Sequence, residues 1–271
     1  MKSTESLAYE DHGHGEPVLL IHGAAIATTF VPVTREPTLA DRYRLIRYHR
    51  RGFTGSAPIE DLDTLSGRDY CAVHVQDALS LLRHTGIERV HVIGHSGGGW
   101  VALQLTRDAP SVVHSLVLME PAIHEIDPEF GAAVLEFVSP IVELGHEDPE
   151  RAAERLLSSV EGTEWRVLAE TMPGGATAWF EDTKRMLFEF TIVHDWSFDA
   201  EDANTIAQPV LYITGGDSGS HVEVLRDRFQ SLVPQTESAV IPEASHNMLT
   251  SQPARVAQEI VRFLDRHPMD V

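Results

Sequence analysis

The stretch VHVIGHSGGGW, residues 90–100, decides the fold. An apolar run enters a glycine-rich turn, and the amphipathic segment GGGWVALQLTRDAP leaves it and closes at Pro110. Inside the turn stands G-x-S-x-G, as Gly94-His95-Ser96-Gly97-Gly98. A bare match to this pattern arises by chance in many chains. A strand before it and a helix after it make it specific, because together they form the sharp turn that exposes a nucleophile. The serine backbone in such a turn is strained, and larger neighbours than glycine would clash. The turn lifts the Ser96 hydroxyl above a sheet edge, at the N-terminus of the new helix.

Outward from this turn, apolar runs and glycine punctuation alternate. PVLLIHGAA (17–25), YRLIRY (43–48), ERVHVIGHS (88–96), HSLVLME (114–120), PVLYITG (209–215) and ESAVIP (237–242) read as strands. Helical spacing covers about 69–85, and a last helix covers about 253–266. The alternation predicts an α/β fold: a mostly parallel sheet with helices on both faces. SLAYEDHGHG near the start adds an antiparallel edge strand to this expectation.

Between Glu120 and Gln208 the alternation stops. That stretch reads as helices at about 128–144, 149–160, 163–171, 175–190 and 199–206. It holds three of the four tryptophans (Trp165, Trp179, Trp196) and six of the ten phenylalanines, in about a third of the chain. An aromatic core of its own explains part of this enrichment; a cap over a pocket explains the rest. The expected division is a core of residues 1–120 and 208–271 with a helical cap at 121–207. At least one of Trp165, Trp179 and Trp196 is expected to line that pocket, and Trp179 and Trp165 are the named pocket residues.

Composition excludes other classes. The chain has 271 residues, 42% apolar and 23% charged, so it can bury a sizeable core and is not mainly disordered. No window approaches 18 uninterrupted apolar residues, so no membrane span is expected. The start, MKSTESLAYEDHGHG, has no apolar stretch and is not a signal peptide. With Cys71 as the only cysteine, this makes the cytoplasm the expected compartment. A net charge of −20 repels phosphate backbones, so nucleic acid is not an expected partner. The 15 histidines include neither an HExxH motif nor paired CxxC motifs, and no metal is inferred.

A serine hydroxyl needs a base to take its proton. The late loop IPEASHNMLTSQP supplies His246, after the last strand and before the final helix. An oxyanion needs backbone N–H donors. Gly97 follows the serine directly, and Ala24 follows His22-Gly23 at the end of the first buried strand.

IHGAA, YHRRGFTGS, GHSGGGW, LVLMEP, PVLYITGGDS and PEASHNM, in this order, resemble the α/β-hydrolase superfamily over nearly the whole chain. The similar branch has a serine nucleophile and a helical cap after strand six of an eight-stranded-type sheet. His49 stands where relatives often carry aspartate, in a loop read as structural. The resemblance implies a carboxylate to complete a triad with Ser96 and His246. Relatives usually place it after the strand before the last, but counting G-x-x-D from Gly215 reaches Ser218, and Asp217 is one residue early. A minority, zearalenone-lactonase-like members among them, use a carboxylate ending strand six. Here that is Glu120, 24 residues after Ser96, and it is preferred over Asp217.

The expected enzyme is a carboxylic ester hydrolase or lactonase. It forms an acyl-enzyme on Ser96, acts on a small, largely apolar ester or lactone, and needs no cofactor. Homodimerisation is left open. Two rival readings share these residues: a ligand-sensing relative with little turnover, and a lyase or perhydrolase on the same fold.

Overall fold

The computed structural model describes residues 2–3, 6–192 and 196–269. Among them, eight strands form one sheet: β1 (Lys2–Ser3), β2 (Ala8–His12), β3 (Pro17–Ile21), β4 (Arg44–Tyr48), β5 (Val90–His95), β6 (Val113–Met119), β7 (Val210–Gly215) and β8 (Thr236–Ile241). Their spatial order is β1-β2-β4-β3-β5-β6-β7-β8. β1 and β2 pair antiparallel, as do β2 and β4; every other pair is parallel. β1 is only a two-residue edge pair, and the remaining seven strands carry the sheet.

Among the described residues, twelve α-helices accompany the strands. Before β6 come α1 (Val31–Thr34), α2 (Pro37–Ala40), α3 (Gly67–His84) and α4 (Gly97–Asp108). Between β6 and β7 lie α5 (Pro128–Glu147), α6 (Pro149–Glu161), α7 (Trp165–Ala169), α8 (Gly175–Ile192) and α9 (Ala200–Ala203). After β7 follow α10 (Ser220–Leu232), α11 (Met248–Ser251) and α12 (Pro253–Arg266). None of the described helices is long and apolar enough to cross a membrane.

Period-two alternation along the strands divides the core into two layers. Leu19, Ile21, Ile46, Val92 and Leu118 face α3, α4 and α10. Val18, Leu20, Leu45, Ile93 and Val117 face α12 and the short helices α1, α2 and α11. Because helices cover both faces, β5 is buried at all six positions, His91 and His95 included. α12 starts on Pro253, whose missing N–H costs nothing at a helix start, and buries Val256, Ala257, Ile260, Val261, Phe263 and Leu264 along one stripe.

The sequence reading did not anticipate α10. Its polar composition hides the three buried positions Val222, Leu225 and Phe229 that seat it on the sheet. The insertion is also less separate than its helical pattern suggests. Trp196, Phe198, Ala203 and Ile206, from its C-terminal part, join the core layer under α3 and α4.

β3 and β5 are neighbours whose chains continue to opposite sides of the sheet, β3 toward β4 and β5 toward β6. Ligands bind beyond the carboxyl ends of strands at such a switch point. His22, Gly23, Ser96 and Glu120 all lie just past the ends of β3, β5 and β6.

Candidate active site

Ser96 has φ 51 and ψ −122, a strained backbone for a residue with a side chain. Its N–H donates to Met119 O at 3.0 Å, and its carbonyl accepts from Gly99 N at 2.8 Å and Ala122 N at 3.0 Å. The flanking glycines are required by close approach. A Cβ on Gly94 would lie 2.5 Å from Gly98 O, and one on Gly98 only 2.1 Å from Ile21 O. The G-x-S-x-G spacing is therefore the spacing at which β5 and α4 pack against each other and against β3.

Glu120 is the next strained residue, with φ 40 immediately after β6. Its side chain is 5% exposed. Oε2 accepts from His246 Nδ1 at 2.8 Å. Oε1 accepts from Gly215 N at 2.8 Å and from Ser218 Oγ at 2.6 Å. Burial raises the Glu120 carboxyl pKa, but the bond and charge of His246 and the hydrogen bonds from Ser218 and Gly215 outweigh it and hold the group below the ordinary carboxylate value. Burial lowers the His246 pKa; the bond and charge of Glu120 and the charge of Glu161 outweigh it and raise the imidazole above its ordinary value. The bond to Nδ1 leaves Nε2 for the cavity that His246 shares with Ser96.

Asp217 is exposed, and its backbone N–H donates to Ala244 O at 2.8 Å. Ser218, one residue on, holds the place where relatives usually carry the acid, and its hydroxyl supports Glu120 instead. That role has no signal in the sequence, because it depends on the ends of β6 and β7 lying side by side. His95 was also missed: its Nε2–H donates to His246 O at 3.1 Å, tying the serine turn to the histidine loop.

Ala24 and Gly97 come together beside Ser96 in the cavity, where a Cβ built on Gly97 would stand 3.5 Å from Ala24 N. The cavity encloses about 990 Å³. Phe130, Val134 and Val138 of α5 and Met186 of α8 line it, and so do Trp100 and Trp196. The structure corrects the expectation for Trp165 and Trp179. Both are buried in a separate cluster with Ile26, Val31, Leu157 and Met172, and Trp179 Nε1 donates to Thr28 Oγ1 at 2.8 Å. They fasten the insertion to the loop after β3, because their large flat faces are spent between helices and that loop. Glu120, Glu125, Glu143, Glu189 and Asp217 line the cavity, with no lysine or arginine among the described lining residues. Among the described residues no group of three or more His, Cys, Asp or Glu could hold a metal ion.

Several histidines are held neutral by the fold. Burial, then the charge of Arg50, puts His22 and His74 well below the ordinary value. Burial lowers His91 to about 4 despite its bond to Glu16, and burial with the charge of His246 lowers His95 to about 3. In the unfolded chain these groups protonate in the ordinary histidine range, so there the unfolded state binds more protons. Their contribution to stability is present above that range and is lost as pH falls below it. Each steepens the loss by up to about 1.4 kcal/mol per pH unit. Denaturant melts between about pH 7.5 and about pH 5 are expected to show this loss, whereas a flat profile would show that the four are not buried neutral.

Residues 18–259 match the Alpha/beta hydrolase family, and the chain belongs to it. Among curated proteins, RutD of Variovorax paradoxus (strain S110), a candidate carbamate hydrolase, is 37% identical over 115 residues. That match spans 42% of this chain and only 41% of the relative. A thermophilic esterase from Thermogutta terrifontis superposes with a TM-score of 0.75 at 24% identity, over 97% of this chain and 94% of its own. An enol-lactonase from Burkholderia xenovorans LB400 does so with a TM-score of 0.75 at 17% identity, over 96% of each chain. At these identities the structural likeness is one of fold.

Proposed function

We propose that the protein is a serine hydrolase of small, mostly apolar, uncharged esters or lactones. The observation that carries this is the Glu120–His246 pair at 2.8 Å, in one cavity with the strained Ser96. Ser96 Oγ attacks the substrate carbonyl while His246 Nε2 takes its proton. Glu120 holds the Nδ1–H tautomer and stabilises the imidazolium. The tetrahedral oxyanion is bound by Ala24 N–H and Gly97 N–H, and the N-terminus of α4 adds favourable dipole. His246 then returns the proton to the leaving oxygen, and water releases the acyl group by the same steps in reverse. The helices between β6 and β7 act as a cap, with Trp196 and Met186 among its contacts to the acyl or lactone portion.

An uncharged substrate follows from the lining. A carboxylate or phosphate brought into an apolar cavity lined by several carboxylates and by no described lysine or arginine would lose its hydration without a permanent cation to replace it. Lactones join esters in the reading because a strand-end glutamate as acid resembles the arrangement of zearalenone-lactonase-like family members, and an enol-lactonase shares the fold.

The test uses matched pairs: p-nitrophenyl butyrate against p-nitrophenyl hemisuccinate, and a neutral lactone against its carboxylated analogue. The neutral members are expected to be favoured by at least about tenfold in kcat/KM, a difference of about 1.4 kcal/mol. Equal turnover within pairs would remove the charge preference, and no turnover of any member would favour a ligand sensor.

A further inference from the structure

We propose that His22 and Arg50 are positioning residues that aim the Ala24 N–H into the oxyanion site, and that Glu189 of α8 couples this aim to the helical insertion. The inference rests on the hydrolase reading above. It starts from the carbonyl of Gly23, which accepts from His22 Nδ1 at 2.6 Å and from Arg50 Nη2 at 3.1 Å. The tautomer of His22 is set by its other nitrogen. Nε2 accepts the backbone N–H of Arg50 at 2.8 Å, so the ring proton sits on Nδ1 and is donated to Gly23 O.

The Gly23–Ala24 peptide is trans and planar, so its C=O and N–H point in opposite directions. Two donors gripping the carbonyl on one side fix the N–H on the other. That N–H belongs to Ala24, which lies beside Gly97 and Ser96 in the cavity. Were this peptide to rotate, the Gly23 carbonyl would turn toward the developing oxyanion and repel it. An oxyanion site acts through donors that need no reorganisation at the moment of reaction.

Arg50 is wholly buried, and the same Nη2 lies 3.1 Å from Glu189 Oε1. The Tyr70 hydroxyl donates to that carboxylate as well. The guanidinium sits 4.6 Å from the centre of the Phe53 ring and 5.5 Å from that of Trp100. Trp100 belongs to the first turn of α4, directly after the serine turn, and Glu189 belongs to the insertion and lines the cavity. One side chain therefore touches the loop after β3, the serine helix and the helix above the substrate space. Stability alone is a poor explanation for it. A buried ion pair is often no better than apolar packing, and Arg50 Nε and Nη1 find no partner among the described residues. Orientation of the Gly23 carbonyl explains why the cation is kept there.

The test is the double variant Arg50→Met with Glu189→Met, which removes both charges so that neither is left buried alone. Arg50→Lys is the second variant; it keeps a cation beside Glu189 but lacks the planar fork that reaches two acceptors. Both are measured with p-nitrophenyl butyrate and with a trifluoromethyl ketone, which adds to the serine as a hemiketal oxyanion. A loosened oxyanion donor is expected to lower kcat about 10- to 100-fold with KM within about twofold. Inhibition by the ketone is expected to weaken in proportion to the loss in kcat/KM. Normal kcat and normal ketone affinity in either folded variant would overturn the proposal. So would a loss that disappears once rates are expressed per active site titrated with a fluorophosphonate. Failure of the hydrolase reading is distinguishable, because then the wild-type protein itself would not turn over p-nitrophenyl butyrate in a Ser96-dependent way.

Discussion

Ser96→Ala is expected to lower kcat by about 10⁴-fold or more, with the folded structure retained. Alanine and serine share the same steric limits at φ 51, so the backbone strain is unchanged and only Oγ is lost. The surrounding contacts survive, because they run through the backbone of Ser96 to Met119, Gly99 and Ala122. On the proposed mechanism nothing else in the cavity can form the acyl bond, and the oxyanion donors alone leave a small residual rate. A fluorophosphonate is expected to add to the wild-type protein at Ser96, seen by intact mass and peptide mapping, and to leave the variant unlabelled. Labelling at another residue, or turnover persisting near the wild-type rate in Ser96→Ala, would remove the serine from its assigned role.

The second large effect separates two carboxylates. Glu120→Gln is expected to reduce kcat by about 10³- to 10⁴-fold, while Asp217→Asn stays within about twofold. A glutamine at position 120 can still accept from Gly215 and Ser218, so folding is retained. Toward His246 it can turn an N–H at Nδ1, which favours the wrong tautomer, and it cannot stabilise the imidazolium. Asp217 is exposed, and its loss changes one solvated charge. The pH profile gives a second readout. Glu120 raises the pKa of His246, so the acid limb of kcat/KM lies above the ordinary histidine value. Without Glu120 that limb moves to lower pH, because the neutral base forms more readily even as it works less well. The pair also affects stability with opposite signs. The contribution of His246 is full below the ordinary histidine value and is lost as pH rises through its raised value. That of Glu120 is present above the ordinary carboxylate value and is lost as pH falls through its lowered one. A collapse in Asp217→Asn beside a near-normal Glu120→Gln would reverse the assignment.

Much of this molecule is written locally in its chain. The apolar run before Ser96, the glycines around it and the amphipathic run after it determine a strand, a strained turn and a helix within about 20 residues. Such features depend on neighbours along the chain, and hydrophobic period reports them directly. The same holds for α12, whose stripe begins at Pro253, and for α5 to α9, the described helices between β6 and β7. The chain order of Ser96 and His246 also carries through, since each stands on a loop directly after a strand.

Tertiary structure alone decided which side chains meet. Glu120 and Asp217 are both carboxylates near strand ends, and spacing favours one of them without showing its reach. Only the pairing of β6 with β7 puts Ser218 and the Gly215 N–H against Glu120 and turns the remaining oxygen to His246. Tryptophan content pointed to a pocket, yet Trp165 and Trp179 are buried between helices while Trp100 and Trp196 line the cavity. Hydrophobicity shows that a ring will be buried; it does not distinguish burial against protein from burial against a ligand space. Arg50 and Glu189 lie 139 positions apart and meet wholly out of solvent. Periodicity specifies the face a residue presents, but the residue waiting opposite is chosen by how the layers pack, and that is a property of the whole fold.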